Sequence, residues 1–148
     1  MSDNTSVAQG LAKVLADAYT LYLKTHNFHW NVTGANFNAL HTMFETQYTD
    51  LALAVDELAE RIRALGEFAP GSYREFSELS SIDEATGRTK ALDMVRMLAD
   101  DNEAICETMK AVIDTAESAG DVPTADMLIA RIQIHQKNAW MLRATLDD

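Results

Sequence analysis

The chain has 148 residues, of which 47% are hydrophobic, and its formal net charge is −11. This length suits one domain with its own core, and the apolar fraction excludes a disordered chain. The negative charge argues against broad attraction to nucleic acid or anionic lipid and fits a protein that attracts cations, although solubility alone also explains an acidic surface.

The cellular location is predicted from what the sequence lacks. Cys106 is the single cysteine, so no intrachain disulfide can form and a reducing compartment is the simpler expectation. The first residues show no basic stretch followed by an apolar one, and no window approaches the ~18 apolar residues of a membrane span. We therefore expect a cytoplasmic protein without a membrane partner, folded as one domain over residues 1–148 with a flexible tail at about residues 1–5.

Helical periodicity dominates the chain in the order of its segments. Prolines and glycines are few and mark breaks near residues 34, 69–71, 87 and 120–123. Between the breaks, apolar residues recur with the spacing of one helix face. The pattern predicts long helices at about residues 5–32, 36–65, 88–119 and 124–146, and a short helix at 73–79.

The lengths of these segments and of their links predict the architecture. Long amphipathic helices bury their apolar faces by packing along one another, and the short links at Gly34 and Gly120 make neighbouring helices antiparallel. The link between the second and third long helices is much longer. The sequence therefore predicts an all-α, ferritin-like four-helix bundle, with a long crossover that carries the short helix.

The second long segment carries a stripe of candidate metal ligands. With His41 at 0°, Glu45 falls near about 40°, Asp56 near about 60° and Glu60 near about 100° around the helix. Imidazole together with carboxylates suits Fe, Mn or Zn. Long amphipathic helices also carry carboxylates for solubility alone, so the stripe by itself leaves both interpretations open.

The spacing along this helix limits how such a site can be built. His41 and Asp56 are separated by about 22 Å along the axis, which no single metal site spans. Either there are two separate half-sites, or a second chain completes each one. An antiparallel copy about a two-fold axis would place its Asp56 and Glu60 opposite His41 and Glu45, and would build two identical sites.

His29 adds a further candidate ligand. It lies near the end of the first long segment, and the turn at Gly34 brings it towards His41. A half-site of His29, His41 and Glu45 would result. The Glu-x-x-His motif of intrasubunit di-iron bundles is absent from the sequence, which disfavours a site of that kind.

At these residues the chain closely resembles the Dps family of mini-ferritins (DNA-binding proteins from starved cells). The resemblance covers essentially the whole chain. It is carried by residues 24–34 (KTHNFHWNVTG), Phe37, Leu40, His41, Phe44, Tyr48, Leu51, Asp56, residues 59–61 (AER), Gly120, Asp121, Thr124, Asp126 and residues 140–143 (WMLR).

The resemblance implies an iron-storing shell of twelve subunits with ferroxidase sites shared across two-fold interfaces. In such a site His29, His41 and the carboxylate of Glu45 come from one subunit, and Asp56 and Glu60 from its mate. Fe²⁺ would be oxidised by hydrogen peroxide, with O₂ as the slower oxidant, and stored as ferric mineral. The family commonly has Asp where this chain has Glu45, which puts the occupancy of the second iron position in doubt.

The resemblance also bears on residues beside the ligands and near the last long segment. It implies that Trp30 lies close to the site, although packing alone also explains an indole there. Asp121 and Asp126 match acidic residues that line iron-entry pores, yet carboxylates at a helix N-terminus also complement the helix dipole. From its spacing to His29, His26 is expected to be a packed or interface residue, or else a neighbour that supports the ligand His29. His135 is expected to be structural, and Cys106 is expected to be a buried, inert thiol.

DNA binding is the main alternative function. A nucleoid-associated protein that coats DNA would need cationic side chains to neutralise phosphates. The first basic residue is Lys13, and the chain ends in Asp147 and Asp148. We therefore expect weak, absent or metal-dependent DNA binding. A plain four-helix interaction module is the third hypothesis, and the clustering of candidate ligands argues against it.

Overall fold

A bundle of four long helices is the architecture of this chain. The computed structural model describes residues 2–147, and within them five helices and no strand are present. The helices are α1 (Asp3–Asn31), α2 (Phe37–Ala64), α3 (Tyr73–Leu79), α4 (Ala91–Ser118) and α5 (Val122–Ala144). The principal packing pairs are α1 with α2, α4 with α5, and α1 with α4 and α3. This confirms the predicted all-α bundle with a short helix in its crossover.

The first helix begins earlier in the chain than the sequence predicted. The Ser2 side chain accepts a hydrogen bond of 3.1 Å from the amide of Thr5, so α1 begins at Asp3 rather than near residue 5. Serine favours this capping position because its hydroxyl satisfies an amide that has no partner in the first turn. A flexible tail was expected at about residues 1–5, and its first residue, Met1, lies outside the described residues.

Two other helix starts differ from the predicted ones. α4 begins at Ala91, three residues after the expected position, because Gly87 adopts a positive φ of 72° and Lys90 is still extended. α5 begins at Val122, two residues early, because the Asp121 side chain caps it. Within residues 2–147 no helix is both long and apolar enough to cross a membrane.

The turns between neighbouring long helices depend on glycine. Gly34 has a φ of 110° and Gly120 a φ of 72°, in the left-handed region that other residues rarely adopt. These turns reverse the chain, so α2 returns along α1 and α5 returns along α4. The end of α1 and the start of α2 therefore lie side by side.

Asp17 fastens the crossover to the bundle. Its carboxylate is fully buried and accepts hydrogen bonds from the Ser81 amide at 2.6 Å, the Ser81 hydroxyl at 2.8 Å and the Thr108 hydroxyl at 2.7 Å. The Ser80 hydroxyl donates to the same carboxylate at 3.0 Å. A buried charge is tolerated when hydrogen bonds of this kind satisfy it. Asp17 thus joins α1, α4 and the segment that follows α3.

Lys24 makes a second attachment of the crossover. Its ammonium group forms an ion pair of 2.8 Å with Asp101 on α4 and donates to the Asp83 carbonyl at 2.8 Å. Burial raises the pKa of Asp101, and the nearby Lys24 opposes that rise. Both attachments tether the segment that follows α3 to α1 and α4.

A buried polar cluster links α4, α5 and α2. His135 is fully buried; its Nδ1 donates to Asn102 Oδ1 at 2.9 Å, and its Nε2 accepts from Arg131 at 3.0 Å. Arg131 also forms an ion pair of 2.8 Å with Asp50. Burial and the adjacent Arg131 charge lower the pKa of His135 to about 3, so the imidazole is neutral. The cluster is built from helix packing contacts, in agreement with a structural role for His135.

Candidate metal centre

Two histidines face each other where α1 ends and α2 begins. His29 Nδ1 lies 2.7 Å from the His41 carbonyl oxygen, and His41 Nδ1 lies 2.7 Å from the His29 carbonyl oxygen. The two rings stack with centroids 3.7 Å apart. Since a carbonyl can only accept, each Nδ1 carries the proton and donates it. When either ring binds a metal ion, the lone pair available for the metal is therefore the one on Nε2.

Burial holds one ring of this pair firmly. His29 is 7% exposed, whereas His41 is partly exposed. The Phe37 ring stacks on His41 with centroids 5.0 Å apart. A ligand pair fixed by backbone hydrogen bonds and ring packing needs little reorganisation when an ion binds.

Glu45 is the third predicted ligand at this end of α2. One of its carboxylate oxygens lies 3.9 Å from His29 Nε2, and its side chain is 58% exposed. The structure thus brings His29, His41 and Glu45 into one neighbourhood. Among residues 2–147 of a single chain, however, no three metal-binding side chains converge tightly enough to hold an ion.

The structure does not bring Asp56 and Glu60 to the histidines of the same chain. α2 is one uninterrupted helix from Phe37 to Ala64, so these carboxylates lie about 22 Å or more from His41 along its axis. Both side chains are exposed. The donor set fits iron chemically, because imidazole and carboxylate together suit this metal, but one chain holds it in two separated parts.

Aromatic rings surround the histidine pair on the α1 side. His26 stacks on Tyr48 with centroids 4.1 Å apart and contacts Trp30 at 3.9 Å. Tyr48 meets His29 edge-on at 5.1 Å. Burial, and secondly the charge of His29, lower the pKa of His26. Trp30 is 57% exposed and is separated from the pair by the ring of His26.

Asp121 is engaged within its own chain. It accepts from the Thr124 amide at 3.1 Å and the Thr124 hydroxyl at 2.6 Å, and it pairs with Arg61 at 2.9 Å. Burial acts to raise the pKa of Asp121, but these hydrogen bonds and the Arg61 charge lower it on balance. Asp126, by contrast, is exposed. The Asp121 carboxylate thus contacts the start of α5 and Arg61, whereas the Asp126 side chain is exposed.

Cys106 was expected to be an inert thiol. One set of residues near the histidine pair was not predicted from the sequence. Cys106 is 4% exposed, and burial raises the pKa of its thiol, which keeps it protonated. The missed set is the ring cluster formed by His26, Tyr22 and Tyr48. Its signal was present in the spacing of residues 19, 22, 26 and 29, which share one helix face.

Comparisons with known proteins identify the class to which this fold belongs. Residues 8–148 match the family model of the ferritin-like domain. The fold and this match define a ferritin-like protein. The DNA protection during starvation protein 2 of Bacillus anthracis is 40% identical over 144 residues, covering 97% of this chain and 99% of the relative.

Solved structures narrow the class. A Dps protein from Bacillus brevis superposes with a TM-score of 0.96 at 39% identity, covering 99% of both chains. A protein from Vibrio cholerae O1, described as a DPS protein and a member of a broad superfamily of ferritin-like diiron-carboxylate proteins, has a TM-score of 0.94 at 31% identity. That comparison covers 98% of this chain and 91% of the other. Within the ferritin-like proteins, this chain belongs to the Dps family.

Proposed function

We propose that this chain oxidises Fe²⁺ and stores ferric iron as a mini-ferritin, with each oxidation site shared by two copies. The carrying observation is the reciprocal hydrogen bonding of His29 and His41, which leaves a metal-binding lone pair on both Nε2 atoms. Membership of the ferritin-like proteins supports iron as the metal.

The second half of the site is supplied by a partner. Two copies related by a two-fold axis, with their α2 helices antiparallel, bring Asp56 and Glu60 of each chain opposite His41 and Glu45 of the other. The exposure of all three carboxylates in the single chain supports this arrangement. Asp56, Glu60, His29 and His41 bind the first iron ion, and Glu45 contributes to the second position. The full assembly is a hollow dodecamer.

The reaction consumes peroxide without releasing radicals when two ions are present. Two Fe²⁺ each give one electron to one H₂O₂; the O–O bond breaks, two protons are taken up, and two Fe³⁺ and two H₂O are formed. Mixed imidazole and carboxylate ligation leaves positions for water and peroxide on the ions. O₂ acts as the slower oxidant. Ferric ions then hydrolyse and form mineral in the cavity.

Iron entry involves the start of α5. Asp126 is exposed there, and Asp121 lies five residues earlier, held by Arg61. Three copies meeting at this end would place a ring of Asp126 carboxylates around an opening, which attracts Fe²⁺. Asp121 contributes mainly by fixing the helix start.

DNA coating is the second candidate function, and the name of the Bacillus anthracis relative is what favours it. The charge of this chain opposes it. The net charge of the 148 residues is −11. We infer that any DNA binding at neutral pH depends on divalent metal and is lost when the metal is chelated.

A complementation experiment tests the shared site directly. One variant carries His29→Ala and His41→Ala, and the other carries Asp56→Asn and Glu60→Gln. Each alone is expected to lose rapid Fe²⁺ oxidation by peroxide in stopped-flow absorbance. In a mixed dimer one site combines both defects and the other is intact, so random co-assembly of equal amounts restores about a quarter of the wild-type sites.

The controls separate the ligands from their surroundings. Glu57→Gln removes an exposed carboxylate adjacent to Asp56 and is expected to leave oxidation unchanged. A consumption of one peroxide per two Fe²⁺ supports the proposed chemistry. The proposal would be refuted by mixed assemblies that recover no activity. It would also be refuted by wild-type oxidation kinetics in the variant that carries His29→Ala and His41→Ala.

A further inference from the structure

The face of α1 that ends in His29 is a continuous row of rings. Tyr19, Tyr22, His26 and His29 are spaced three, four and three residues apart, so they lie along one side of the helix. α2 adds Tyr48 to this row. The rings connect the candidate metal centre with the crossover helix α3.

Tyr73 of α3 extends the row beyond Tyr19, so that the row contains all four tyrosines of the sequence. Tyr48 lies 5.1 Å from His29, between ring centroids, and Tyr22 lies 6.2 Å from Tyr48. Tyr19 follows at 5.7 Å from Tyr22, and Tyr73 at 6.3 Å from Tyr19. Every neighbouring pair is therefore in or close to ring contact, the arrangement in which aromatic side chains exchange electrons readily.

The burial of the row changes along its length. Tyr48, Tyr22 and Tyr19 are half-buried, whereas Tyr73 is 70% exposed in the single chain. Phe76 stacks on Tyr19 at 4.9 Å and holds α3 against it. Burial and the neighbouring phenols Tyr73 and Tyr22 raise the pKa of Tyr19, which keeps its hydroxyl protonated in the resting protein.

We propose that Tyr48, Tyr22, Tyr19 and Tyr73 form an electron relay that draws a one-electron oxidant away from the histidine ligands and delivers the radical to α3. This rests on the proposed iron chemistry, because the oxidant arises when a site holds one Fe²⁺ instead of two. That ion gives one electron to H₂O₂, and Fe³⁺, hydroxide and a hydroxyl radical result. The radical would otherwise attack the nearest imidazole.

Each step of the relay balances. The hydroxyl radical takes a hydrogen atom, an electron with its proton, from the Tyr48 phenol and becomes water. The Tyr48 phenoxyl radical then takes a hydrogen atom equivalent from Tyr22, Tyr22 from Tyr19, and Tyr19 from Tyr73. The net result is one water molecule and one phenoxyl radical at Tyr73, with the ligand histidines intact.

The first test uses the assembled protein loaded with one Fe²⁺ per site and treated with H₂O₂. Rapid freeze-quench EPR is expected to show a tyrosyl radical, and peptide mapping to find the oxidised residue at Tyr73. Tyr22→Phe keeps the ring shape but cannot form a phenoxyl radical. In that variant the oxidation at Tyr73 is expected to fall several-fold, and oxidation of Tyr48 and His29 to rise.

The second test needs no iron and separates the relay from the proposed function. In a Trp140→Phe background, Trp30 is the one remaining indole, and its ring reaches Tyr48 through His26. Pulse radiolysis with azide radicals is expected to form the Trp30 radical, which decays as a tyrosyl radical appears. Adding Tyr22→Phe is expected to leave that radical on Tyr48.

The outcomes are distinct. Normal iron oxidation with Tyr73 oxidised equally in Tyr22→Phe would show that diffusing radicals reach Tyr73, and would overturn the relay. A Trp30 radical that decays without forming a tyrosyl radical would overturn it as well. Failure of iron oxidation alone, with transfer from Trp30 intact, would refute the proposed function and leave the relay standing.

Discussion

Acidification is expected to weaken the fold through His135 in particular. The imidazole has a pKa of about 3 in the fold, against 6.5 for the free group. At a pH between these two values, His135 is protonated in the unfolded chain and neutral in the folded chain. The stabilisation is therefore complete above pH 6.5 and falls by about 1.4 kcal/mol per pH unit as the pH is lowered towards 3. At pH 4.5 the loss is about 2.7 kcal/mol.

His135→Gln isolates this effect from the many carboxylates that also titrate. A glutamine amide can donate towards Asn102 and accept from Arg131, so the variant is expected to lose about 1–2 kcal/mol at neutral pH. Urea unfolding at fixed protein concentration would compare both proteins at several pH values. The two stabilities should converge or cross as the pH falls. A constant difference between pH 7 and 4.5 would show that His135 is protonated in the fold, and would refute the reasoning.

Two further predictions concern the buried hydrogen bonds of Asp17 and the packing of Gly10. Asp17→Ala removes the buried acceptor that fastens the crossover, and should cost about 3 kcal/mol in urea unfolding because the charged hydrogen bonds are lost; amide exchange over residues 73–82 should rise first, and unchanged exchange there would contradict the role given to Asp17. Gly10→Ala places a Cβ atom 2.9 Å from Val112 Cγ2, so the clash should outweigh the gain of about 1 kcal/mol in helix propensity. In a Val112→Ala background the same change should stabilise the fold, and stabilisation already in the wild-type background would disprove the packing argument.

The fold was largely predictable because its signals are local. Apolar spacing identified each long helix, and the crossover helix Tyr73–Leu79 has the predicted bounds. Two of the boundaries that were wrong depend on single capping contacts. Ser2 extends α1 towards the N-terminus, and Asp121 starts α5 early. Capping geometry depends on backbone angles at one residue, which periodicity does not record.

The candidate site was predictable in composition and not in geometry. The Gly34 turn indicated that His29 and His41 lie close, and helix arithmetic separated them from Asp56. The exchange of hydrogen bonds between ring and carbonyl depends on the relative register of α1 and α2. The helical spacing of the part of the row that lies on α1 is present in the sequence. Tyr48 and Tyr73 lie on other helices, so their contacts with the row could be seen only in the packed structure.

The paired hydrogen bonds of His29 and His41 also bear on when the protein becomes reactive. Both ligands lie in one hairpin of neighbouring helices, twelve residues apart, so they can be oriented as soon as that hairpin folds. The carboxylates they need belong to another copy in the proposed site. A newly made subunit would then hold half of a reaction centre, unable to turn over iron until a partner docks. Iron oxidation would begin only where subunits assemble into the shell that stores the ferric product.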